Sequence, residues 1–192
     1  MEEEGNMILY VNACVREQSR TQRIAEHLLS RLGEKAVEVR LSGIAFPAAD
    51  EAFLRERDRR IAASDFDSPM FDLARQFAGA EQVVIAAPFW DLSFPATLKQ
   101  YFEQINVLGV TFRYSPEGIP QGLCRARRLF YVTTAGGPIF SEAFGYGYVE
   151  ALAREFYHIP EVRCVKAESL DVEGADVEGI LRSAEAEIDR IV

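Results

Sequence analysis

Five short runs of β-branched and aliphatic residues recur along the chain, separated by stretches with helical periodicity, and this alternation limits the possible folds more than any other feature. Residues 7–11 (Met-Ile-Leu-Tyr-Val) and 82–87 (Gln-Val-Val-Ile-Ala-Ala) are near-continuous apolar runs, as expected of strands buried on both faces. Residues 36–41 alternate and belong nearer an edge, and residues 128–134 and 162–165 complete the set of strands. Residues 19–32 carry Ile24, Leu28, Leu29 and Leu32 on one helical face, with Gly33 as a stop signal. Pro95 opens a helix to residue 105 whose face is Leu98, Tyr101, Phe102 and Ile105. Residues 144–156 and 177–191 predict two more helices, and the polar stretch 47–79, broken by Pro69, predicts one or two with a surface excursion. Strands joined through helices lie parallel in one sheet covered on both faces.

Five such strands fit the order 2-1-3-4-5, an α/β flavodoxin-like three-layer sandwich with helices on both faces of a five-stranded parallel sheet. Residues 1–192 are expected as a single domain, long enough to bury a core without disulfides or a structural metal. Residues 107–127 exceed a bare five-stranded repeat and predict an inserted arm, extended at 110–114 and turning at 116–118. Ligands of open parallel sheets bind beyond the carboxyl ends of the strands, where strand order reverses. That rule selects the loops following Val11, Ala87 and Thr134.

The first loop leads to Ser19-Arg20-Thr21. Ser19 is a good helix N-cap, and a helix N-terminus with hydroxyls suits a phosphate; Ser19 could equally do no more than cap its helix. The loop lacks GxGxxG and GxxxxGK[ST], which disfavours a Rossmann dinucleotide site or a P-loop. The second loop, Pro88-Phe89-Trp90-Asp91-Leu92-Ser93, holds the only Trp and offers an aromatic wall for a planar ligand. The third, Thr134-Ala135-Gly136-Gly137, lets backbone N–H groups approach a ligand closely. Together they match the phosphate, ring and carbonyl edge of flavin mononucleotide (FMN).

The run from Ile85 to Phe102, then Gly109-Val110-Thr111-Phe112-Arg113-Tyr114, Gly118, Gly122-Leu123 and Thr133-Thr134-Ala135-Gly136-Gly137, resembles the FMN-dependent NADH-azoreductase and NAD(P)H:quinone oxidoreductase family. The resemblance implies a flavodoxin-like homodimer with FMN near the interface. It implies phosphate on Ser19, Arg20 and Thr21, with Arg16 nearby, and a ring flanked by Pro88, Phe89, Trp90, Asp91 and Leu92. It also implies a pyrimidine edge at Thr134, Ala135, Gly136 and Gly137, and a helix from Pro95 to Ile105 that helps form the dimer. Asp91 stands where the family often has Asn, and Ala135 where it often has Arg or another polar residue.

The implied activity is electron transfer from NADH or NADPH to a quinone or azo compound. A shared cleft predicts ping-pong kinetics, with the flavin carrying the chemistry and no catalytic side chain. Phe112 and Tyr114 are expected to wall the substrate pocket, across the dimer if not within the chain. Two alternatives stay open: a flavodoxin-like electron carrier, and a non-redox flavin- or nucleotide-binding sensor.

With 30 Asp and Glu against 21 Lys and Arg, the net charge is -9. That balance argues against nucleic acid and anionic membranes as partners, so an anionic ligand needs a local site. Cys14, Cys124 and Cys164 show no CxxC spacing, and no metal site is expected. A reducing, cytoplasmic location is expected. The first six residues lack the features of a signal peptide, and no run reaches the ~20 residues of a membrane span. His27 and His158 read as structural or solvated, residues 55–60 as a solvated, internally paired helix face, and Cys14 as a small buried residue.

Overall fold

A computed structural model describes residues 7–33 and 35–192; the acidic segment 1–6, read above for targeting signals, lies outside the described residues. In chain order the first elements are β1 (Ile8–Asn12), α1 (Arg20–Leu32), β2 (Ala36–Arg40), α2 (Glu51–Ala62), α3 (Asp72–Gly79) and β3 (Gln82–Ala86). They are followed by α4 (Ala96–Ile105), β4 (Phe112–Tyr114), β5 (Pro120–Gly122), β6 (Arg128–Thr134), α5 (Tyr146–Ala151), β7 (Glu161–Ala167) and α6 (Val177–Ile191). One sheet has the order β2-β1-β3-β6-β7, every neighbouring pair parallel. Counted over the core strands alone, this is the expected 2-1-3-4-5.

The continuous apolar runs are explained by two covered faces. Leu9 and Val11 of β1 join Val83 and Ile85 of β3 in a core under α3 and α4, which adds Phe77, Leu98, Tyr101, Phe102 and Ile105. Ile8, Tyr10, Val84 and Ala86 face the other way, against Ile24 and Leu28 of α1 and Leu181 and Ile188 of α6. All five residues of β1 and of β3 are buried. The edge strand β2 buries only Val39, which accounts for its alternating sequence. At the other edge β7 extends beyond the expected 162–165, with exposed Arg163 and Lys166 on its two opposite faces.

Local signals act where the sequence places them. The Ser19 hydroxyl accepts the Gln22 N–H at 3.3 Å, and Gly33 closes α1 at φ 70° with its N–H on the Leu29 carbonyl. Residues 55–60 form i,i+3 and i,i+4 pairs such as Arg59–Glu56 and Arg60–Glu56. The expected helix at 144–156 starts as α5 but widens over Leu152–Phe156 into a π-helical turn, with Tyr157 N–H bonded to the Leu152 carbonyl.

Between α4 and β6 the chain forms an antiparallel hairpin, Phe112 opposite Gly122 and Tyr114 opposite Pro120, outside the main sheet. The backbone of β5 lies against Tyr157: a Cβ built on Gly122 would come within 2.2 Å of the Tyr157 carbonyl oxygen. Gly43, by contrast, has open space around it. Gly122→Ala is therefore expected to destabilise the fold by about 1–3 kcal/mol. Gly43→Ala is expected to stay within about 0.5 kcal/mol of the parent in urea unfolding.

Candidate active site

The chain leaves β1 through Asn12, which is buried. Its Oδ1 accepts the Cys14 N–H at 2.9 Å, and its Nδ2 donates to Glu38 Oε1 at 2.8 Å. This side-chain turn bends the chain out of the sheet and towards Ser19. Capping by Ser19 uses the Gln22 N–H, and the Arg20 and Thr21 N–H groups have no intrahelical acceptor. Thr21 is buried, and its hydroxyl meets that of Thr134 at 2.6 Å, which ties the first turn of α1 to the end of β6.

The second loop is set by two anchors. The Phe89 N–H donates to the Thr134 carbonyl at 2.9 Å, and Trp90 and Ser93 exchange backbone bonds at 2.9 and 2.8 Å. The turn between them holds Asp91 at φ 50° and Leu92 at φ 68°. Asp tolerates the left-handed region; Leu does so at a cost of about 1–2 kcal/mol. The Ser93 hydroxyl donates to the Phe144 carbonyl at 2.6 Å and so braces the loop against the segment before α5.

The third loop is zipped to a fourth, after β7. Ala135 N–H donates to the Ala167 carbonyl, while Leu170, Asp171 and Ser169 N–H groups donate to the carbonyls of Ala135, Gly136 and Gly137 at 3.2, 2.8 and 3.1 Å. Among the described residues, the Gly136 and Gly137 N–H groups have no acceptor. Arg20 pairs with Asp171 at 2.7 Å, and Arg16 makes no ion pair among the described residues.

These loops enclose a cleft of about 380 Å³ at the point where strand order reverses between β1 and β3. Of the residues expected at the site, Ser19, Arg20, Thr21, Pro88, Phe89, Trp90, Thr134, Ala135 and Gly136 line it. Asp91, Leu92 and Gly137 adjoin it in sequence without lining it. Phe112 and Tyr114 do not reach it within one chain. Phe112 is buried against Phe156, with ring centroids 5.0 Å apart, and it lines a separate groove with Arg57, Ile61 and Leu108. Tyr114 packs edge-on against Phe112 and is half exposed.

Val15, Gln18, Leu170 and Asp171 also line the cleft. The last two lie on the loop after β7, which the topology rule could have reached, since β7 adjoins β6. Cys14 is fully buried behind the first loop with its thiol over the Ala86 carbonyl, and burial pushes its pKa up. That environment disfavours a reactive thiolate. The apolar face of α4 is consumed inside the chain's own core, so a partner subunit would have to meet its outer face instead. Among the described residues no group of His, Cys, Asp and Glu is placed to hold a metal ion, and no helix is long and apolar enough to cross a membrane.

A doubly wound sheet with its cleft at the switch point, a helix N-terminus on one side and free glycine N–H groups on the other, is the arrangement of a flavodoxin-like fold. The family model described as flavodoxin-like fold matches residues 6–192. An FMN-dependent NADH:quinone oxidoreductase of Coprothermobacter proteolyticus is 33% identical over 196 residues, covering 96% of this chain and 96% of that protein. A second protein of that name from Clostridium acetobutylicum is 43% identical over 122 residues, 61% of this chain and 60% of that protein's length. The FMN-dependent NADH-azoreductase of Bacillus anthracis, solved in complex with FMN, superposes with a TM-score of 0.81 at 21% identity, covering 96% of each chain. The chain belongs to the flavodoxin-like family of FMN-dependent NADH:quinone oxidoreductases.

The buried Thr21–Thr134 hydroxyl pair gives a direct test of how the cleft is held together. Thr21→Val leaves the Thr134 hydroxyl without its partner and is expected to cost about 1–3 kcal/mol. Converting both to Val should cost less than the sum of the two single changes, as measured by urea unfolding of all four proteins.

Proposed function

We propose that the chain is an FMN-dependent oxidoreductase that passes electrons from NADH or NADPH to quinones, azo compounds or both. The observation that carries this reading is the convergence on one cleft of two donor sets: the start of α1, and the unpartnered N–H groups that begin at Gly136. Phe89 and Trp90 line the same cleft and add the apolar wall a planar ring requires. Full-length likeness to a named FMN-dependent NADH:quinone oxidoreductase supports the same assignment.

The residues present fit FMN. Ser19, Arg20 and Thr21 would hold the phosphate with hydroxyls, a guanidinium and first-turn N–H groups, and Arg16 would add a second cation. Pro88, Phe89, Trp90, Asp91 and Leu92 would run along the ring and ribityl chain. Thr134, Ala135, Gly136 and Gly137 would meet the pyrimidine edge. Ala135 offers no donor there, because its N–H already serves Ala167, so Gly136 and Gly137 would supply the N–H groups that stabilise negative charge. FMN, when bound, supplies the electron transfer between nicotinamide and acceptor. The chain's own part is to orient the reactants and to exclude water from one shared cleft.

We also propose a homodimer. Leu108, Tyr114, Ile119 and Leu123, on and around the β4–β5 hairpin, are all more than a third exposed, a density of apolar side chains that supports a protein contact. In such a dimer the half-exposed Tyr114 would help complete a partner's cleft, with Phe112 buried beneath it as its support.

Reconstitution with FMN and steady-state kinetics test the reading. The protein should turn yellow, oxidise NADH or NADPH with a quinone or azo dye, and give parallel double-reciprocal lines. A protein that stays colourless with added FMN overturns it, and flavin binding without turnover favours a carrier or sensor. Trp90→Ala is expected to weaken FMN binding roughly two- to tenfold or to change the ranking of acceptors, from an aromatic contact worth about 0.5–1.5 kcal/mol. Unchanged affinity and unchanged acceptor kinetics would remove Trp90 from the site.

A further inference from the structure

One acidic side chain lines an otherwise cationic or neutral cleft. Asp171 Oδ1 stands 2.7 Å from the Arg20 guanidinium, and both residues line the cleft. Its backbone is pinned, because the Asp171 N–H donates to the Gly136 carbonyl at 2.8 Å and the Leu170 N–H to the Ala135 carbonyl. Its other oxygen covers Gly136 so closely that a Cβ there would lie 2.4 Å away. A single carboxylate thus touches both the arginine at the start of α1 and the glycine turn after β6.

We propose that Asp171 is a specificity-determining residue that competes with the cofactor phosphate for Arg20 and thereby sets how tightly the chain retains phosphorylated flavin. This inference rests on the FMN reading above. Carboxylate and phosphate are both acceptors for the same guanidinium, and Asp171 draws on an Nη1 donor of Arg20 that a phosphate at the start of α1 would otherwise use. The Arg20 and Asp171 side chains are 43% and 67% exposed. An ion pair that exposed is worth only a few-fold in an equilibrium, weak enough to yield to phosphate yet large enough to subtract from its affinity. Arg16 lines the same cleft, makes no ion pair among the described residues and carries no such deduction. Gly136 is a consequence of the same arrangement: any side chain there would displace the carboxylate.

The test compares Asp171→Asn and Arg20→Gln, singly and together, by titrating flavin fluorescence with each protein. FMN and riboflavin are the two probes, since they differ only in the phosphate. Asp171→Asn is expected to tighten FMN about two- to fivefold, the full release of an exposed pair, and to leave riboflavin within twofold of the parent. In the Arg20→Gln background the gain should vanish. The proposal is overturned if Asp171→Asn leaves FMN affinity unchanged or weakened, if riboflavin tightens as much as FMN, or if the gain persists without Arg20. A parent protein that binds neither probe overturns the FMN reading itself, and this inference with it.

Discussion

Ala13, Ala87, Phe89 and Ala135 each donate a backbone N–H to the adjoining strand beyond the last residue of their own, at 2.8, 3.0, 2.9 and 2.9 Å, and the cleft depends on this continuation of the ladder. It carries register out of the sheet and into the loops, so the loops are placed relative to one another by main-chain bonds. Buried donors require acceptors, and the ladder supplies them as far as Ala135, where β7 ends at Ala167. The next two donors, Gly136 and Gly137, fall beyond its reach. Their freedom to bind a ligand therefore follows from where the pairing stops. The Thr21–Thr134 hydroxyl contact then fixes the start of α1 against the same strand end, which preorganises both donor sets before any ligand enters.

What the sequence reveals of this arrangement divides along a physical line. Residues 7–11 and 82–87 are legible because strands covered on both faces must be apolar throughout, and β2 because an edge strand with one covered face alternates. Ser19 and Gly33 are legible because caps demand particular residue types. The loop after β7 is not: it builds its part of the cleft from main-chain bonds to Ala135, Gly136 and Gly137, which almost any residue can make. The π-helical turn at Leu152–Phe156 leaves no periodic signature for the same reason. Phe112 misleads in the opposite sense. An aromatic residue in an inserted arm suggests a binding wall, whereas here it fills a core against Phe156, and only contact with a second subunit would give the arm a role at a cleft.

The net charge of -9 and the proposed site for an anionic cofactor are compatible because charge acts locally. At physiological salt, exposed charges further apart than about 8 Å are largely screened, so the acidic surface contributes little inside the cleft. The field there is set by Arg16, Arg20, Asp171 and the first-turn N–H groups of α1. With two cations and one carboxylate, the local balance is opposite in sign to that of the chain.

The second loop shows why a costly conformation persists next to this cleft. Phe89 is tied to the Thr134 carbonyl, and buried Pro95 begins α4, so the chain must reverse between two fixed points. A two-residue reversal with both residues at positive φ ordinarily uses Asn-Gly. Asp91 meets the first requirement, whereas Leu92, at φ 68° and 58% exposed, recovers little from burial. Glycine at 92 would remove the strain but also widen the conformations open to the loop. Leucine keeps the turn in one shape, and Trp90, bonded across it to Ser93, is held at the cleft as a result. Local strain of this kind is a cost in stability, and here it accompanies a fixed position for Trp90 at the cleft.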